Sequence, residues 1–167
     1  MMRNLVERTA PDHDFSRMKK SLGAIEKGLA LAFDRPRILV ADDDPLTKEV
    51  IETMGDEKEY RVVSVKDGRE AFRLLKRDSN FSAAIFNLTM PHLCGVDLVS
   101  YMKTEKRLIR IPVIIVSGDG GINNVADTFA AGALAFLAKP FAATQLQRVL
   151  RLALSTQAPR EELSAAA

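Results

Sequence analysis

Short apolar runs and amphipathic stretches alternate along most of this chain, and the two patterns separate two kinds of element. Apolar runs predict strands at Arg37 to Ala41, Tyr60 to Val65, Ala83 to Phe86, Val113 to Val116 and Ala133 to Leu137. Apolar residues at helical spacing predict helices over Leu46 to Met54, Gly68 to Arg77, Gly95 to Thr104 and Ile122 to Ala131, with Ala142 to Leu154 last. Five strands alternating with five helices predict a parallel sheet covered on both faces by right-handed crossovers. Ligand chemistry in such a sheet belongs at the carboxyl ends of the strands.

Upstream of this pattern, Phe15, Met18, Leu22, Ile25, Leu29 and Ala32 recur at spacings of three and four, which places them on one face of an amphipathic helix. Asp14 or Ser16 would cap its start, and Pro36 forces its end, because a residue before proline is pushed out of the helical region. Three segments result: an N-terminal extension with this helix over residues 1–35, an α/β domain over 36–156, and a flexible tail over 157–167. The stripe must be covered, either by the α/β domain or by a second copy or a partner, and the latter pair is the expected cover. Too few residues follow Leu154 for a helix-turn-helix output unit, so no nucleic-acid partner is expected.

Charge adds little specificity. The 24 basic and 22 acidic residues are spread along the chain and leave a net charge of +2, and Arg69, Arg73, Lys76 and Arg77 read as the solvated face of a helix. The single cysteine, Cys94, excludes an internal disulfide and any Cys-rich zinc site. No run reaches the roughly 18 apolar residues that would span a bilayer, and no secretory leader is visible. The expectation is a cytoplasmic protein without a membrane partner.

The candidate chemistry sits at the predicted strand ends. Asp42 and Asp43 offer two hard oxygen donors suited to magnesium, while Asp44-Pro45 reads as a helix cap followed by a first-turn proline. Asn87 ends the third apolar run, where a carboxylate would be expected to complete the acidic cluster. Ser117 either donates to a phosphoryl oxygen or opens the Ser-Gly-Asp-Gly-Gly turn. Lys139, before Pro140, is placed to pair with a phosphoryl group or a neighbouring carboxylate.

Four separated segments then agree. Ile38-Leu39-Val40-Ala41-Asp42-Asp43-Asp44-Pro45, Leu88-Thr89-Met90-Pro91 with Gly95, Val113 to Gly118, and Gly132-Ala133 through Phe136-Leu137-Ala138-Lys139-Pro140-Phe141 together resemble the CheY-like receiver domain of two-component response regulators. The resemblance covers roughly Arg37 to Thr156. It implies a flavodoxin-like, doubly wound five-stranded parallel sheet of order 2-1-3-4-5, with Asp42 and Asp43 as the magnesium-binding pair. It implies further that Ser117 and Lys139 contact the phosphoryl group, that Phe136 is the aromatic switch, and that Asn87 occupies the phosphoacceptor position. Cys94 stands where an acidic residue commonly precedes the glycine.

Asparagine there changes the expected chemistry. Its amide electrons are delocalised and its attack on phosphorus would leave a cationic adduct, so phosphotransfer should be absent. Magnesium should bind more weakly, with the Asn87 carbonyl as its third ligand. The expected function is a non-enzymatic, phosphorylation-independent interaction domain, a pseudo-receiver whose partner is a histidine kinase, a phosphotransfer protein or a downstream regulator. Self-association is expected through the N-terminal helix or the face formed by residues 122–154. Two alternatives are a phosphoacceptor-blocked variant of a conventional regulator and, from the D-x-D spacing of Asp42 and Asp44, a haloacid-dehalogenase-like phosphatase.

Overall fold

Inside each central apolar run, alternate residues go to opposite faces of one sheet, and this alternation builds the layers. The computed structural model describes residues 17–26, 35–54 and 59–157. It contains strands β1 (Arg37–Ala41), β2 (Arg61–Val65), β3 (Ala83–Asn87), β4 (Val113–Ser117) and β5 (Ala135–Ala138), all parallel, in the order β2-β1-β3-β4-β5. After a helix at residues 17–26, here α1, come α2 (Pro45–Met54), α3 (Gly68–Arg77), α4 (Gly95–Thr104), α5 (Ile122–Ala131) and α6 (Ala143–Ser155). This is the flavodoxin-like topology with an added N-terminal helix.

Leu39, Ala84, Phe86, Val113 and Ile115 point to one face, where Ala71 and Leu75 of α3 and Leu98, Val99 and Met102 of α4 cover them. Ile38, Val40, Ile85, Ile114 and Val116 point to the other, against Ile51 and Met54 of α2 and Leu146, Leu150 and Ala153 of α6. Because β1, β3 and β4 are covered on both faces, their runs are apolar throughout. The edge strands β2 and β5 are only partly buried. An Arg37 guanidinium at the start of β1 bonds Asp78 at 2.8 Å and lies over the Phe81 ring, tying the β3 approach to the centre of the sheet.

Boundaries differ from expectation at four strands. Asn87 and Ser117 belong to β3 and β4, because polar side chains leave the ladder intact and Asn87 stays in register with Val116. The fifth strand starts at Ala135, not Ala133. Gly132 adopts a left-handed conformation (φ 104°) and, with Ala133, turns its N–H back to the last carbonyls of α5, so Ala133 is spent closing a helix, while Leu134 leads into the strand with its N–H on the Val113 carbonyl. Tyr60 falls outside β2, its hydroxyl donating to the Met54 carbonyl.

Two units divide between Arg35 and Pro36. In the first, α1 carries Met18, Leu22 and Ile25 exposed on it. The remaining members of the expected stripe, Phe15, Leu29 and Ala32, the cap candidates Asp14 and Ser16, and the expected flexible tail beyond Gln157 lie outside the described residues. No helix among the described residues is long and apolar enough to cross a membrane.

Candidate functional site

The carboxyl ends of β1 and β3 lie side by side, and the chain crosses from one sheet face to the other between them. Asp42 follows β1 directly. Its side chain is only 1% exposed, so its charge needs partners nearby. Three donors converge on its Oδ1: the Asp44 N–H at 2.9 Å, the Asn87 amide nitrogen at 3.1 Å and the Lys139 ammonium at 3.2 Å. The same ammonium lies 2.9 Å from Oδ2, a contact that is an ion pair and not an aligned hydrogen bond.

Asn87, 8% exposed, spans the acidic pair. Its Nδ2 donates to Asp42 and, at 3.2 Å, to Oδ1 of the more exposed Asp43. Both amide hydrogens are thereby used, and the neutral amide bridges two carboxylates that would otherwise repel each other. Gly95 helps hold this residue. A side chain there would put its Cβ 2.6 Å from the Asn87 carbonyl oxygen, so only glycine lets the start of α4 approach so closely.

Asp44 has two roles, of which the sequence suggests one. Its Oδ1 accepts the Leu46 N–H at 2.9 Å and caps α2, as expected. Its Oδ2 also receives the Lys139 ammonium at 3.1 Å. The Leu46 bond first, and the Lys139 bond after it, hold this carboxyl below the usual aspartate range. The signal was the acidic triplet itself; what it did not contain was the direction from which a lysine almost a hundred residues away would arrive.

Lys139 directly follows β5 and is joined to Pro140 by a cis bond, and its N–H bonds the Ser117 carbonyl at 2.7 Å. That bond brings the end of β4 against the site. The Ser117 hydroxyl oxygen accepts the Asp119 N–H at 3.0 Å and so forms the turn, which leaves the hydroxyl its own hydrogen to donate. Phe136 is half-buried in β5 beside Ile115 and packs into the core on the α3–α4 side. Cys94 precedes α4, and its thiol and N–H both donate to Asp97; burial, then the Asp97 carboxylate, push the thiol up.

Asp42, Asp43, Asp44, Asn87 and Lys139 therefore form one contact network. An open cavity of about 520 Å³ adjoins it, lined by Asp42, Asp43, Asp44, Lys48, Lys66 and Glu70 among others. Among the described residues there is no group of three or more His, Cys, Asp or Glu placed to hold a metal ion. Two carboxylates remain as hard donors, and both are engaged by the Asn87 amide.

Known proteins share this architecture. A family model described as the response regulator receiver domain matches residues 38–151. The two-component response regulator ORR5 of Oryza sativa subsp. japonica is 31% identical over 114 residues, 68% of this chain and 85% of its own length. Chemotaxis protein CheY1 of Helicobacter pylori is 28% identical over 121 residues, 72% of this chain and 98% of its own. Among solved structures, the receiver domain of a signal transduction histidine kinase from Syntrophus aciditrophicus superposes with a TM-score of 0.67 at 27% identity, covering 79% of this chain and 99% of that one. The receiver domain of sensor histidine kinase PA1611 from Pseudomonas aeruginosa, with a magnesium ion coordinated in its active site cleft, gives 0.65 at 29% identity, covering 72% and 98%.

Proposed function

Because this chain belongs to the family of response regulator receiver domains, we propose that it serves two-component signal transduction as a phosphorylation-independent protein-interaction domain. Receiver domains are signalling modules and not enzymes, so the phosphatase reading of the acidic triplet is set aside. The observation that carries the proposal is the Asn87 amide, which bridges Asp42 and Asp43 by two hydrogen bonds at what we read as the phosphoacceptor position. A carboxylate there could attack phosphorus; an amide lacks the charge and the available electron pair.

Magnesium fits this corner in a reduced way. Asp42, Asp43 and the Asn87 carbonyl supply oxygen donors of the right hardness, but the amide must turn over to present its oxygen, giving up both bonds to the carboxylates. Bound there, the ion would neutralise negative charge at the strand ends. With two carboxylates instead of three in this corner, its affinity is lowered.

Without a phosphoryl group, Ser117, Lys139 and Phe136 keep the positions of contact and switch residues but receive no chemical input. Lys139 is already held by Asp42 and Asp44. The conformation presented to partners is then set by sequence and by binding. A histidine kinase, a phosphotransfer protein or a downstream regulator is the expected partner class. Exposed Ile122 and Phe129 of α5 and Leu152 of α6 support a contact face over residues 122–154, and exposed Met18, Leu22 and Ile25 support self-association through α1.

Intact-mass measurement after incubation with magnesium and a small-molecule phosphodonor tests this reading. The expected mass is unchanged, and a stoichiometric phosphoryl adduct refutes the proposal. A pull-down comparing this chain with Asn87→Asp, with and without phosphodonor, tests the second half. Equal recovery of one partner is expected, and recovery by phosphorylated Asn87→Asp alone overturns it.

A further inference from the structure

At the amino ends of the strands, opposite the acidic corner, the surface is cationic and has an apolar tip. Arg73, Lys76 and Arg77 are exposed at the end of α3, and Lys106, Arg107 and Arg110 are exposed on the turn between α4 and β4. The Arg107 guanidinium donates to the Lys76 carbonyl at 3.3 Å, so the two groups adjoin. Ile109 stands inside the second group and is 53% exposed.

Two features separate this patch from an ordinary solvated helix face. Its charge is not neutralised: among the described residues no salt bridge joins any of these six cations to a carboxylate, Lys76 lies over the Phe72 ring, and neighbouring Asp78 is taken up by Arg37. Its tip is also braced from within. Lys103 lays its stem over Gly132 and donates its ammonium to the carbonyls of Ile109 (3.1 Å) and Ile111 (3.5 Å), and burial pushes this lysine's pKa down. A half-buried lysine on two backbone carbonyls thus holds a loop whose outward residue is a bare isoleucine.

We propose that this end of the receiver unit docks on an anionic lipid surface, with Ile109 entering the headgroup boundary and the six cations facing lipid phosphates. Clustered Lys and Arg beside an aliphatic anchor match the two terms of peripheral membrane binding, electrostatic attraction and apolar insertion. A single-stranded nucleic acid would call for aromatic stacking positions, and the outward tip is aliphatic; a duplex would use the cations but gives the exposed Ile109 no apolar phase to enter. An acidic protein would seat its anchors in a pocket, and neither cavity described for this unit, at the acidic corner or beside Tyr60 and Leu150, is lined by these residues. The proposal departs from the sequence expectation of no membrane partner only in adsorption, not in spanning.

Co-sedimentation of the full chain with vesicles tests this, using phosphatidylcholine alone and phosphatidylcholine mixed with phosphatidylglycerol. Binding is expected only to the mixed vesicles and should fall as salt is raised. The triple variant Arg73→Glu/Arg77→Glu/Arg110→Glu should lose about ten-fold or more in affinity, and Ile109→Ser about three- to ten-fold with the charges intact. All four positions are exposed, and unchanged far-ultraviolet circular dichroism confirms that the variants fold. Absence of binding to mixed vesicles overturns the proposal. Binding undiminished in the triple variant assigns adsorption to another part of the chain and overturns it equally, while binding undiminished in Ile109→Ser removes the insertion step and with it the lipid assignment.

Discussion

Replacing Asn87 by aspartate exchanges a donor to two carboxylates for a third carboxylate in the same place. Two hydrogen bonds to acidic acceptors disappear, at 3.1 and 3.2 Å, and bonds to charged groups contribute about 1.5–3 kcal/mol each. The introduced charge also faces Asp42 and Asp43 at close range, where each like-charge contact costs about 4 kcal/mol at an effective dielectric of 20. Attraction from Lys139, now 2.9 Å from Asp42, offsets one such contact if the ammonium moves toward the new group. Protonation sets the ceiling, since holding a carboxyl neutral at pH 7 costs about 4 kcal/mol. The net loss should therefore be about 2–4 kcal/mol without divalent metal, or roughly 6–15 °C in melting temperature. Magnesium should restore most of it, because a ligand at a hundred times its dissociation constant stabilises by about 2.7 kcal/mol. Urea unfolding of both proteins in chelator and in magnesium measures all four states. The reasoning fails if Asn87→Asp in chelator is as stable as the unsubstituted chain, or if magnesium stabilises both by the same amount.

Two further outcomes follow from the same geometry. Asp44 has its carboxyl lowered from 3.8 by the Leu46 N–H and then by Lys139, so its contribution is present above that value and is lost as pH falls through the folded-state one. Asp44→Ala should cost about 1 kcal/mol at neutral pH as a lost cap, with the gap in urea midpoint narrowing in acid; a gap constant with pH contradicts the assignment. Gly68→Ala should destabilise by about 3 kcal/mol despite alanine's better helix propensity, because its Cβ would lie 2.0 Å from the Leu93 carbonyl oxygen. A stabilised variant would show that the β3–α4 loop yields freely.

The central strands were legible because each is buried on both faces, which leaves an apolar run and no competing pattern. Residues at their ends were legible as a group because parallel strands deliver them to one edge. Ala133 and Leu134 misled for the opposite reason: their side chains are as apolar as those of a strand, and what removes them from β5 is the backbone turn at Gly132. Long-range pairing was hidden as well. Nothing local to Asp44 indicates Lys139, and nothing local to Lys103 indicates that its ammonium will brace the carbonyls of Ile109 and Ile111. Ser117 shows a subtler limit, since both readings of the hydroxyl fit the sequence and only the position of the Asp119 N–H reveals that the turn is made.

The strand order has a consequence for how the chain comes off the ribosome. Each new strand of the series adds to an open margin: β2 beside β1, β3 on its other side, then β4 and β5 outward in turn. No later strand has to be threaded between two already joined, so assembly can keep pace with synthesis. The acidic corner matures in the same sequence. Asp42 and Asp43 emerge first, Asn87 can clasp them once β3 has docked, and Lys139 arrives only after the final strand. A nascent chain carrying a third carboxylate would wait through that interval with its charges unmatched, whereas this one can settle the corner about fifty residues before its lysine is made.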